Sequence, residues 1–132
     1  MGSAIVLLNT ALALDDKNAE IYNLLAIPNA IETTSTRHFK YYERALAVDP
    51  KHRGAHEYMG EAYLMTGNLA KAEEQLAVLN KLYFLPCEEY SDLKSAIAEC
   101  KQKNVESNSA YLMIAASSVQ GITVIIYIIH PF

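Results

Sequence analysis

Apolar and polar residues alternate along most of this chain with the spacing of surface helices. In 53–66, "RGAHEYMGEAYLMT", Ala55, His56, Met59, Ala62, Tyr63 and Met65 form a broad apolar stripe at helical period. The pair Gly67–Asn68 then supplies a turn, because glycine tolerates positive φ at a helix end. A second helix follows in "LAKAEEQLAVLNKLYF" (69–84), with Leu69, Ala72, Leu76, Leu79 and Tyr83 on one side. Upstream, "NAEIYNLLA" (18–26) and "FKYYERALAVDP" (39–50) also predict helices. Pro50 ends the latter, since it has no N–H to donate. The pattern predicts an all-α chain of antiparallel helix pairs.

The pairs repeat. "ALALDDKNAEIYNLLA" (11–26) aligns with "ALAVDPKHRGAHEYMG" (45–60) at an offset of 34. Ala11/Ala45, Leu12/Leu46, Ala13/Ala47, Asp15/Asp49 and Lys17/Lys51 are identical pairs, and Leu79 and Tyr90 keep the phase further on. A fixed period of this size marks stacked helical hairpins.

In these positions the chain resembles the tetratricopeptide repeat family. One copy spans 53–86, with Gly60 where the two helices of a unit touch, Tyr63 at the aromatic position, Gly67 at the turn, Ala72 as a second small contact, and Leu76 and Leu79 at apolar positions. The copy at 19–52 carries Tyr22, Leu25, Ala26, Tyr42, Ala45 and Pro50. Residues 4–18 resemble the second helix of an earlier unit, with Asp16 in place of the family's proline. Residues 87–103 keep phase through Tyr90, Leu93 and Ile97, but Lys94 stands at a small-residue position, which suits a terminal capping helix. The resemblance implies an α-α superhelix over 1–104, followed by an apolar tail over 105–132.

Residues 27–38, "IPNAIETTSTRH", keep the length of their counterpart 61–72 but lose its pattern. Pro28 falls inside the expected first helix, and His38 stands where Ala72 does. Two readings stay open: a divergent loop with a helix restarting near Thr36, or a segment read in a shifted frame. The coding DNA decides between them.

The resemblance also implies a non-catalytic protein-interaction module whose first helices line a concave groove for a peptide or partner helix. The groove residues it implies are Glu20, Asn23, Leu24 and Ile27 from one copy and Glu57, Tyr58, Glu61, Leu64 and Met65 from the next. Only Asn23 would suit a clamp for an acidic peptide, whereas Glu57 and Glu61 would repel one. The expected partner is therefore a basic or amphipathic segment, with Tyr58 as an aromatic anchor. The competing reading makes Glu57 and Glu61 an ordinary solvated i,i+4 pair.

Charge agrees with this expectation. The 132 residues carry a net charge of −4, which argues against nucleic acid as a partner. Cys87 and Cys100 read as small buried side chains rather than a disulfide framework or a zinc site. His52 and His56 have a spacing that can bind metal on a helix, but no third ligand matches it. Glu73–Glu74 and Glu88–Glu89 read as exposed pairs, and no phosphate loop or nucleophile elbow is present. A small metal-binding protein or hydrolase is the weaker alternative, and no cofactor is expected.

From Ser107 to Phe132 there is no Asp, Glu, Lys or Arg. The stretch 110–129 is long enough to span a bilayer as a helix, which would make a membrane-tethered adaptor. Gln120–Gly121 interrupts it, and "ITVIIYII" also suits a strand, so a packed extra element and a non-native segment remain as other readings. The apolar tail or an open repeat end would allow a homo-oligomer. The N-terminal "MGSAIVLLNTALALDD" lacks a basic region before its apolar run, so the expectation is a cytoplasmic chain without a signal peptide, membrane-associated if the tail inserts.

Overall fold

The computed structural model describes residues 2–27, 36–82, 84 and 87–119. Six helices follow in order among these residues: α1 (Gly2–Leu14), α2 (Ala19–Ala26), α3 (Thr36–Val48), α4 (Arg53–Met65), α5 (Leu69–Leu82) and α6 (Glu88–Val119). The chain divides into two units, Met1–Ala98 and Glu99–Phe132. The first holds the helical hairpins α2–α3 and α4–α5, flanked by α1 and the opening turns of α6.

The 34-residue period reappears in the hydrogen bonds. Asp15 Oδ1 accepts from the Lys17 N–H at 3.1 Å, and Asp49 Oδ1 accepts from the Lys51 N–H at 2.9 Å. Asn18 caps α2 by accepting from the Glu20 N–H, and His52, 34 positions on, caps α4 by accepting from the Ala55 N–H. The Tyr22 hydroxyl donates to the Asp16 carbonyl at 3.0 Å, and His56 Nε2 reaches the Pro50 carbonyl at 2.9 Å. In both copies the first helix thus ties down the turn that delivers it.

Between α4 and α5, Gly67 adopts φ +75. The Asn68 N–H bonds the Tyr63 carbonyl and the Gly67 N–H bonds the Leu64 carbonyl, the paired bonds of a Schellman motif. Asn68 Oδ1 then accepts from the Lys71 N–H to start α5.

Three apolar clusters follow one another through the first unit. Tyr22, Ala45 and Ala55 pack with Leu12, Tyr41 and Leu46. Ala26, Tyr42, Met59 and Ala62 pack with Phe39, Tyr58 and Tyr63, and the Phe39 and Tyr63 rings stack at 4.7 Å. Ala72, Leu79, Leu93 and Ile97 pack with Leu64, Leu69, Leu76 and Tyr90. Burying such side chains stabilises by about 1.5–3 kcal/mol for each large one. The small residues at 26, 45, 55, 62 and 72 bring the helices close enough for those large side chains to meet.

Three features of the helices have physical causes, and the first, a helix cut short before Pro28, is the one expected from sequence. The helix α2 stops at Ala26, five residues short of the length of α4 (13 − 8 = 5), with Ile27 already extended at ψ 116. Pro28 disfavours helical geometry for the residue before it. Second, Gly60 meets Leu93 of α6 rather than the other helix of its own hairpin. Third, α6 does not end near 103. Nothing from 88 to 119 is Pro or Gly, so no breaker stops it, and residues 101–110 are exposed along it.

His38, in the small-residue position equivalent to Ala72, is half-buried, with Nδ1 on the Ala26 carbonyl at 2.8 Å and Nε2 buried without a partner. Residues 28–35 and the end of the apolar tail, 120–132, lie outside the described residues, and so do the readings of those stretches. Among the described residues no helix is long and apolar enough to cross a membrane.

Candidate functional site: an acidic face on α2, α4 and α6

The groove residues expected from α4 sit on one stripe, because 54, 57, 58, 61, 64 and 65 recur every three or four positions. Their environments differ. Glu57 is buried, Tyr58, Glu61 and Leu64 are half-buried, and Met65 is 60% exposed. Leu64 belongs partly to the core, packed on the Ala72–Leu93 cluster. On α2, Asn23 is buried, Leu24 is exposed and Glu20 is exposed, and Ile27 just beyond it is also exposed.

Glu57 and Glu61 are not a solvated pair. Glu57 is 8% exposed, and burial, helped by Glu61, Asp92, Glu89 and Glu88, pushes its carboxyl up to about 7. The Glu61 carboxyl is raised by burial and by Asp92. Tyr58 lies among the same charges: burial raises its hydroxyl, as do Glu57, Glu61, Glu20 and Asp92. Every charge that acts on Glu57 and Glu61 is a carboxylate.

The opening turns of α6 therefore belong to the site, a contribution the sequence reading missed. Glu88 and Asp92 stand 34 positions after Gly54 and Tyr58, so carrying the repeat register one unit further would have found them. Glu89, read from sequence as half of an exposed pair, is half-buried and joins α4 through an ion pair with Arg53 at 3.6 Å. Its carboxyl is lowered against the opposing effect of burial, by bonds from its own backbone N–H and the Cys87 thiol and by Arg53. Acidic residues at a helix N-terminus also suit the helix dipole.

At the other edge of the stripe, His52 joins α2 to α4. Its Nδ1 accepts from the Ala55 N–H, so the ring proton is on Nε2, which donates to Glu20 Oε2 at 2.8 Å. His56 is likewise occupied, by Gln75 at 2.7 Å and the Pro50 carbonyl. Both imidazoles are thus engaged in holding helix starts and turns. No group of three or more metal-ligating side chains occurs among the described residues.

These features define a helical-hairpin repeat protein with an acidic face shared by successive first helices. Residues 39–97, which run from α3 into α6, match the model of the tetratricopeptide repeat family, and this match supports a tetratricopeptide-repeat-containing protein. Repeats of this family serve as scaffolds for protein–protein interaction and generally bind proteins or peptides without catalysis. No curated protein matches the chain.

Proposed function

We propose that the protein binds a basic, amphipathic segment of a partner protein along the face shared by α2, α4 and the first turns of α6. One observation carries this reading: Glu57 is buried, and the charges that raise its carboxyl, Glu61, Asp92, Glu89 and Glu88 from two different helices, share its sign. Crowding carboxylates in this way costs stability, and a cationic ligand would recover that cost on binding. Exposed Leu24, Ile27 and Met65 flank the carboxylates and would accept the apolar side of such a segment. Glu20, Asn23, Leu24, Glu57, Tyr58, Glu61, Leu64 and Met65 are the proposed contact residues, joined by Glu88 and Asp92.

Fluorescence anisotropy with labelled amphipathic peptides tests it. A basic peptide should bind the full chain, an acidic peptide of the same apolar pattern should not, and Glu61→Gln with Asp92→Asn should weaken the basic one. Equal binding of both peptides would remove the reading.

A further inference from the structure

The floor of this face holds one buried acceptor with nothing to accept from, and a carboxyl at the same repeat position. Asn23 and Glu57 are the same position of successive repeats, 34 residues apart. Asn23 is 3% exposed, and its Oδ1 has no hydrogen-bond partner. Its amide lies against Gly54, where a Cβ would come within 3.2 Å of Nδ2. Gly54 is one turn before Glu57 on the same stripe of α4, so the Asn23 side chain reaches the row that carries the carboxylates. Glu57 receives no hydrogen bond among the described residues, and the charges upon it are Glu61, Asp92, Glu89 and Glu88.

Buried acceptors left unpaired cost more than exposed ones, so a donor from outside the chain gains most here. Three requirements narrow its chemistry. It must be cationic, to suit the carboxylates. It must carry several donors, because an amide oxygen and a carboxyl on neighbouring helices both need one. It must also lie against the half-buried Tyr58 ring. A guanidinium meets all three: it is a planar cation with five N–H donors in a rigid fork, and it stacks on aromatic faces. An ammonium is compact and strongly hydrated, and meets only the first well.

We propose that this floor is a site for an arginine side chain of the partner, its guanidinium shared by the Asn23 amide oxygen and the Glu57 carboxylate beside Tyr58. The assignment rests on the basic-partner reading and narrows it from basic to arginine-bearing.

The test compares two fluorescein-labelled 12-residue peptides of identical leucine pattern and charge, one with arginines and one with lysines, titrated with the full chain at pH 8. The arginine peptide should bind roughly tenfold more tightly. Asn23→Leu, similar in shape but without the acceptor, should bring the arginine peptide down to the lysine level while moving the lysine peptide less than about twofold. Glu57→Gln should likewise cost the arginine peptide more. Circular dichroism confirms that each variant is folded. Equal binding of the two peptides to the unmodified chain overturns the arginine site whatever the variants do. So does an arginine preference that survives in folded Asn23→Leu and Glu57→Gln. If the peptides bind equally but Glu61→Gln weakens both, the basic-partner reading stands without the arginine site. If neither peptide binds, both fall.

Discussion

A Cβ placed on Gly60 would lie 2.6 Å from Leu93 Cδ2 and 2.7 Å from Cδ1, and Leu93 is fully buried. Both branches of the leucine face the space, and because Leu93 is fully buried its neighbours limit how far it can move aside. Gly60→Ala would gain about 1 kcal/mol of helix propensity and lose about 1–3 kcal/mol to overpacking. The second effect wins. The melting temperature should fall, and Leu93→Ala placed behind Gly60→Ala should recover part of the loss relative to the sum of the single changes.

Gly67 offers a contrast. Its surroundings are open, with nothing within 4 Å of a built Cβ, but its φ is +75. Gly67→Ala should therefore destabilise by about 1 kcal/mol through backbone strain alone. Gly67→Asn should cost less, since asparagine tolerates this region. Equal losses for the two substitutions would contradict the strain argument.

Glu57 makes stability depend on pH in the direction opposite to most carboxylates. Its carboxyl is raised from 4.5 to about 7 in the folded chain. Between those values the folded state holds a proton that the unfolded state has released, so stability falls as pH rises through this window. The loss is on the order of 2–3 kcal/mol once pH is above 7. Chemical denaturation at pH 5 and pH 8 should show it, and Glu57→Gln should flatten the difference.

The same ionisation acts on binding with the other sign. As Glu57 loses its proton the face becomes more negative, so a basic peptide should bind more tightly at pH 8 than at pH 6. Added salt should weaken the complex, because several of the carboxylates are only partly buried. Glu57→Gln should leave a shallower pH profile. A basic peptide whose affinity is flat from pH 6 to 8 would remove Glu57 from the contact.

His52 combines a cap with a tie to Glu20, and two substitutions separate them. His52→Asn keeps a capping acceptor, as Asn18 does at the equivalent position, and should lose only the tie, within about 1 kcal/mol. His52→Ala loses both and should cost about 1 kcal/mol more. Thermal melts of the two variants measure the difference.

The helical hairpins, their starts and stops, and the phase of the repeat were legible in the sequence because each is written in residues close together. Helical periodicity, Asp15 and Asp49 in their turns, Gly67 at its positive φ, and Pro50 behind α3 act over a few positions each. Identical local signals 34 residues apart produce identical local contacts. Tertiary structure alone decided what those helices meet. The sequence could place Glu57 and Glu61 on one stripe, but their ionisation also depends on α6, more than 25 residues away in the chain, whose Asp92 acts on both. Likewise Gly60 signalled a close approach without naming Leu93, and Asn23 read as a groove residue without showing that its amide oxygen is buried and unpaired. Burial and the charge of a carboxyl are properties of everything packed around a group, and no window of neighbouring residues contains that information.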